Sequence, residues 1–163
     1  TRMIVMNEGE ICQEDSAQNI YDHPENLFVA GFFGTPRMNI SIAKVMEEGE
    51  RIVLKFASGM IDLPEEKGKL LKDREYAGKE VFTGIRPEKV VPAKNGENRE
   101  ITGDILGSEE IDGASYIRFG VGENEFLAKA EGGENLTGKK MSFKISGDNV
   151  YLFDKETEKI ITE

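Results

Sequence analysis

The chain has 163 residues, 38% of them hydrophobic, with nine Phe, four Tyr and no Trp, which suits one domain of ordinary size or a smaller domain plus an appendage. Twenty-one Lys and Arg against 31 Asp and Glu give a formal net charge of −10; this argues against binding to a nucleic-acid backbone or an anionic lipid surface, both of which need clustered cations. A lone cysteine, Cys12, cannot make an internal disulfide and fits a reducing, cytoplasmic setting, and no apolar stretch approaches the length of a membrane span.

The chain opens on Thr1 with no initiator Met, so a piece of something longer is expected. Met3 to Met6 and Ile11 to Gln13 read as a β-hairpin about the turn Asn7-Glu8-Gly9-Glu10. Asp15 or Ser16 can cap a short helix through Asn19-Ile20-Tyr21. Pro24 suits the first position of a second helix, Glu25 to Phe33. Phe28, Phe32 and Phe33 share one face of it, Gly34 supplies the stop and Pro36 prevents resumption. A hairpin and two short helices cannot build their own core, so Ile20, Leu27, Phe28 and Phe32 need a surface from elsewhere.

From Met38 the pattern changes to short alternating runs. Strands are expected over 40–45, 51–56 and 60–63, then a helix opening at Pro64-Glu65-Glu66, with acids in its first turn and Lys69, Lys72 and Arg74 towards its end. Further strands are expected over 81–85, 101–106, 116–121, 125–128, 141–145 and 150–153. Short strands at this spacing, with 18 Gly in the chain, are the signature of an all-β barrel or sandwich.

Several patterns mislead. Gly133 to Lys139 has phosphate-loop spacing, but Lys140 stands where Ser or Thr must reach magnesium, and no strand-to-helix context surrounds it. It reads as a hairpin turn. With one His, His23, and one Cys, neither a zinc site nor a Cys–His nucleophile is supported. The acids Glu109, Glu110 and Asp112 read as a solvated turn.

Four stretches, in order, resemble the ATPase subunits of carbohydrate-importing ABC transporters, of the maltose, multiple-sugar and glycerol-phosphate type. Ile4 to Ile11 resembles the strand–turn–strand beyond the family's switch histidine. Ile20 to Phe32 resembles the closing helices of the ATPase domain. Gly84-Ile85-Arg86-Pro87-Glu88 resembles the most recognisable motif of the transport-associated OB-like (TOBE) domain, and Val150 to Thr157 its closing strand and turn. The junction residues are Phe28, Gly31, Phe32, Gly34, Pro36, Met38 and Asn39, and the form Gly-x-Pro-x-Met-Asn at Gly34 to Asn39 points to the carbohydrate branch. Glu158 departs from the pattern, since the family places Gly there, so the last turn is open to change.

The resemblance implies two parts: residues 1–34 as an α/β remnant of the nucleotide-binding domain, and residues 35–163 as a mainly β, OB-like barrel with one helix. It implies a regulatory and dimerisation domain of an importer ATPase, itself without catalytic, cofactor or metal residues, ATP and Mg2+ belonging to the parent protein. Implied partners are a second copy of the subunit, membrane permease subunits through the parent and a regulatory protein, with no nucleic acid and no direct membrane insertion. The expected location is the cytoplasmic face of the cell membrane. Gly84 to Glu88 would serve as a structural or interface element, with Arg86 and Glu88 close together at a strand exit. The alternative is an OB-like module binding a small oxyanion or an oligosaccharide.

Overall fold

The computed structural model describes residues 1–94, 99–131 and 135–162. Hairpin β1 (Arg2–Asn7) and β2 (Glu10–Ser16) leads into α1 (Ala17–Asp22) and α2 (Leu27–Phe32). Then follow β3 (Asn39–Glu48), β4 (Arg51–Phe56), β5 (Gly59–Asp62), α3 (Glu65–Asp73), β6 (Glu80–Ile85) and β7 (Val91–Pro92). The remainder is β8 (Ile101–Ile111), β9 (Ala114–Val121), β10 (Asn124–Ala130), β11 (Lys140–Lys144), β12 (Val150–Asp154) and β13 (Ile160–Thr162). No helix among the described residues is long and apolar enough to cross a membrane.

Apart from the two-stranded β1–β2 hairpin, the strands form one antiparallel sheet in the order β10-β9-β8-β5-β4-β3-β6-β12-β13, with β11 joining β8 to β7. The mainly β, OB-type architecture matches the expectation, but the sheet does not close into a complete ladder: β10 and β13 are its two ends. Asn39 spans the gap between β3 and β10. Its side-chain Nδ2 donates to Leu127 O and its Oδ1 accepts from the Leu127 N–H, each at 2.8 Å. A buried amide thus reproduces one rung of a ladder that the backbone does not make.

Inward-facing residues of the curled sheet form the main core, including Val45, Leu54, Ile61, Ile85 and Leu152. The modest aromatic content is concentrated there: Phe119 stacks on Phe143 with centroids 3.9 Å apart and meets Phe126 edge-on at 5.8 Å. Helix α3 buries Leu71, and Gly68 lets it sit close to Ile52. Lys67, absent from the sequence-based anchors, is buried as well. Its Nζ donates to the carbonyls of Gly147, Asp148 and Val150 at 3.1, 3.1 and 2.8 Å, so a long apolar stem packs while its charged head finds backbone acceptors.

Of the two cap candidates Ser16 caps α1, through Asn19 N at 3.1 Å, while Asp15 accepts from the Asn19 side chain. Other features differ from the pattern reading. Helix α2 starts at Leu27 with Asn26 as its cap, not at Pro24. The reason is tertiary: Asn26 bridges Lys159, and Leu27 N–H donates to Glu158 O, so this stretch is held extended beside the chain end. The short strands β7 and β13 carried no periodic signal; β13 is paired only over Leu152–Thr162 and Phe153–Ile160. Of the phosphate-loop look-alike, Gly133 and Glu134 lie outside the described residues. The rest is a turn in which Thr137 N–H donates to the Asn135 side chain and Gly138 has φ +83°, leading directly into β11.

Two consequences follow for stability. A Cβ on Gly103 would meet Gly120 O at 2.1 Å, whereas one on Gly120 would meet nothing within 4 Å. Gly103→Ala is expected to lower unfolding free energy by roughly 1–3 kcal/mol and Gly120→Ala to change it little, measured by urea denaturation. The second concerns Tyr76, whose hydroxyl donates to Asp154 at 2.6 Å. That bond, with the Thr157 and Glu156 N–H groups, lowers the Asp154 carboxyl from 3.8 to about 2. A depressed carboxyl stabilises the fold above its ordinary pKa, and the contribution is lost as pH falls through about 2. Asp154→Asn should flatten the acid limb of a stability–pH profile between pH 4 and about 2.

Candidate functional site

The two groups of residues singled out in the sequence, the Gly84–Glu88 motif and the Phe28–Asn39 junction, meet in space. Strand β3 pairs with β6 so that Asn39 lies opposite Ile85 and Ile40 opposite Gly84. Helix α2 lies over the outer face of this pair: Ala30, Met38 and Phe153 form a small second core, with Leu27, Phe82, Tyr151 and Ile160 packed around it. Strands β6 and β12 are therefore buried on both faces. Gly84 is needed for this layering, since a Cβ there would fall 2.3 Å from Met38 Sδ and 3.3 Å from the Phe153 ring. The close approach is by a side chain, not by another backbone. Gly31 makes the matching allowance on α2, where a Cβ would meet Ile40 Cδ1 at 3.0 Å.

Arg86 occupies the centre of the junction and is only 4% exposed. It does not form a solvated ion pair with Glu88 at a strand exit. Its Nη1 donates to Phe33 O at 2.7 Å and its Nη2 to Tyr21 O at 2.9 Å. Its guanidinium lies over the Tyr21 ring, 3.9 Å from the centroid. Phe33 is the C-cap of α2 and Tyr21 lies in the last turn of α1, so one cation satisfies carbonyls at the ends of two helices, where partial negative charge collects. Among the described residues Arg86 makes no ion pair, and its buried Nε has no hydrogen-bond partner. Glu88 instead accepts from the Tyr21 hydroxyl at 3.1 Å. Burial pushes that hydroxyl above its ordinary pKa, with the Arg86 charge opposing and the Glu88 charge adding.

The junction glycine fits the same clasp. Gly34 has φ +109°, and a Cβ there would sit 2.8 Å from Arg86 Nη1. Pro87 is buried in the 3-10 turn Pro87–Lys89 that carries the chain away from β6. Beside it lies an open cleft of about 450 Å³, bordered by Arg86, Lys89, His23, Asn149 and the acids Asp22 and Asp148. Its charges are of both signs. Among the described residues no group of three or more His, Cys, Asp or Glu is placed to hold a metal ion.

The chain end holds the other side of α2. Leu27 N–H donates to Glu158 O and Ile160 N–H to Glu25 O, both at 2.9 Å, and the Tyr151 hydroxyl donates to Asp22 O at 2.9 Å. The roles of Tyr151 and of the 158–160 backbone were not read from the sequence; the signal available was the departure at Glu158. That residue has φ +61°, so the turn keeps the left-handed geometry that glycine adopts freely, at a steric penalty for the glutamate.

The expected helical face of Phe28 and Phe32 is formed but not covered. Their rings stack at 5.6 Å, and Phe32 is 54% exposed. Val29 and Ala30 are the buried positions of α2, and Phe33 turns towards the hairpin cluster of Val5, Ile20 and Val29. On the hairpin, Ile4, Met6 and Ile11 are also exposed. A single substitution tests the turn at the chain end: Glu158→Gly should raise unfolding free energy by about 0.5–1 kcal/mol in thermal or urea melts.

Comparison with known proteins matches this arrangement. A model of the MalK OB fold domain matches residues 34–90, which hold the junction from Gly34 onward, β3 to β6 and the Arg86 motif. The chain is 30% identical over 164 residues to the uncharacterized ABC transporter ATP-binding protein YurJ of Bacillus subtilis, covering 98% of this chain and 45% of that protein. It is 31% identical over 163 residues to the oligosaccharides import ATP-binding protein MsmX of Bacillus subtilis, covering 97% and 44%. It is 34% identical over 163 residues to the sn-glycerol-3-phosphate import ATP-binding protein UgpC of Chromobacterium violaceum, covering 98% and 41%. The chain thus spans less than half the length of these relatives. Over nearly its whole length the chain is thus similar to part of ATP-binding proteins named for ABC transport or solute import, and its residues 34–90 match the MalK OB fold domain.

Proposed function

We propose that this chain is the regulatory and dimerisation part of the ATP-binding subunit of an ABC importer for sugars or related solutes. The observation that carries the reading is the alignment of 97–98% of the chain, hairpin, helices and OB fold together, with relatives named for oligosaccharide and glycerol-phosphate import. Residues 1–34 are then the end of the nucleotide-binding domain and residues 35–163 the transport-associated domain. ATP and Mg2+ are handled by the parent protein, which couples hydrolysis to import through permease subunits at the cytoplasmic face of the membrane. This part supplies no catalytic group, and a regulatory protein is a further partner of the assembled subunit.

The distribution of exposed apolar residues supports the division of labour. Ile4, Met6, Ile11, Phe28 and Phe32 are exposed within the first 34 residues, against Ile42, Val91 and Leu106 in the longer remainder, and the first group lies where the remainder of a nucleotide-binding domain would pack. Uncovered aromatic surface of this kind attracts hydrophobic probes and partners. Phe32→Ser in the isolated chain is expected to reduce binding of a hydrophobic dye while leaving the thermal transition within a few degrees of the wild type.

Dimerisation would occur between barrels, through a twofold contact in which each productive interaction appears twice. Arg86 is engaged within its own chain and is not available to that contact. Two copies at −10 each repel, and screening shortens the range of that repulsion from about 30 Å at 0.01 M salt to about 8 Å at 0.15 M. Self-association of the isolated chain should therefore strengthen with salt in sedimentation experiments. A chain that stays monomeric at high salt and high concentration would remove dimerisation from the functions of this part alone. The isolated chain is also expected to show no saturable ATP binding by calorimetry; binding abolished by Lys139→Ala would overturn the non-catalytic assignment.

A further inference from the structure

We propose that Met38 and Asn39 form a relay that couples the seating of helix α2 to closure of the barrel seam between β3 and β10. Its meaning for transport rests on the function proposed above, but the geometry and the test concern this chain alone.

The seam is where the sheet lacks a ladder. Strand β10 is one end of the strand order and pairs only with β9. The N–H and C=O of one strand residue project to the same side, and those of the next residue to the other. Both groups of Leu127 are taken by the Asn39 amide, so Phe126 and Ala128 turn theirs to β9. The Pro87–Lys89 turn and β7 also lie against β10. Among the described residues, however, the hydrogen bonds between β3 and β10 are the two that Asn39 makes. An amide is required there, because one side chain must donate and accept at once from a position only 6% exposed.

The other half of the relay is one residue away. Met38 is buried against Ala30 of α2 and Phe153 of β12. Its sulfur fills the space that Gly84 leaves, where a Cβ would lie 2.3 Å from Sδ. Ile40 meets α2 as well, since a Cβ on Gly31 would fall 3.0 Å from its Cδ1. Met38 and Ile40 thus face the helix, and Asn39 between them reaches β10, the alternation expected of a strand. A shift of Met38 reaches Asn39 across one planar peptide unit. Hydrogen bonds weaken steeply once misaligned, so the two bonds to Leu127 respond to where Met38 sits. Arg86 gives α2 a second hold on this end of the barrel through Phe33 O, and a substitution at Met38 leaves that hold in place.

Asn39 is a positioning residue in this scheme, and hydrogen exchange of the isolated chain reads it at one amide with its neighbours as controls. Asn39→Leu should accelerate exchange at Leu127 by about tenfold or more relative to Phe126 and Ala128, whose amides face β9. In Asn39→Asp, a carboxylate can accept from Leu127 N–H but offers Leu127 O no proton, whereas the protonated acid can do both. Burial raises such a carboxyl, so the excess exchange at Leu127 over wild type at the same pH should shrink between about pH 7 and about pH 4. The charged groups around the seam are Arg37, Glu109, Arg118 and Glu125, with Glu88 and Lys89 on the turn; they are common to both proteins and cancel in that ratio. Met38→Ala, which leaves Asn39 and Arg86 in place, should accelerate Leu127 by about threefold or more relative to Phe126. Gly84→Ala, which forces the Met38 sulfur aside, should do the same and serves if Met38→Ala does not fold. Leu127 exchange that stays with its neighbours in Asn39→Leu, or a Leu127-to-Phe126 ratio left at the wild-type value by Met38→Ala and Gly84→Ala, would overturn the proposal.

Discussion

A buried guanidinium that answers to carbonyls alone constrains everything around it. Arg86 projects from the end of β6 into a space bounded by the ends of α1 and α2, with the Tyr21 ring as one wall. A planar donor can reach two carbonyls in different directions, and an ammonium on a flexible stem cannot hold both in the same way. The helices are six residues each, too short to persist without tertiary support. Their conformation is therefore a property of the clasp and of the apolar layer beneath α2. Gly34, Gly84 and Met38 fit this layer: each leaves or fills space measured against the same few neighbours.

Layering explains how a small OB-type fold carries an appendage. Most of the sheet has one buried face, but β6 and β12 are covered by the core on one side and by α2 on the other. These strands sit where the chain most needs rigidity, between the Arg86 clasp and the chain-end pairing at Glu25–Leu27. At the far side of the curled sheet a different device operates. The Asn39 amide binds both polar groups of Leu127 and joins β3 to β10 without a continuous ladder. Asn39 and Arg86 lie at the same end of the β3–β6 pair, since Asn39 is in register with Ile85. The junction with the helices and the link from β3 to the edge strand β10 are thus organised around one end of two strands.

The appendage is rich in exposed apolar groups, although Ile42, Val91 and Leu106 of the sheet are exposed as well. Phe28 and Phe32 stack on each other on the outer face of α2, and Ile4, Met6 and Ile11 project from the hairpin. A six-residue helix places two of every four side chains away from whatever it packs on. In this protein the inward positions are the small and branched Ala30 and Val29, and the outward ones are aromatic. That inversion fits a segment shaped to lie between two bodies.

The elements from β3 to β6 and from β8 to β12 were legible in the sequence because alternation and turn residues act locally, and α3 because its charges follow the helix dipole; β8, however, runs on to Ile111 through Glu109 and Glu110, which read as a turn and are paired with Tyr116 and Ser115. The motif residues Gly84 to Glu88 and the junction residues up to Asn39 were legible as a resemblance, but not as one site. Nothing in sequence spacing says that Arg86 reaches Phe33 O across 53 positions or that Asn39 reaches Leu127 across 88. The start of α2 and the strand β13 were decided by pairing between Glu25–Leu27 and the chain end, and Lys67 entered the core because distant carbonyls were there to receive it. The chain by itself determined the longer strands, since their alternation depends on neighbours two residues apart, but not the short β7 and β13. Tertiary structure alone decided which polar groups are buried, because burying a charge or an amide is tolerable only where remote parts of the chain supply its partners.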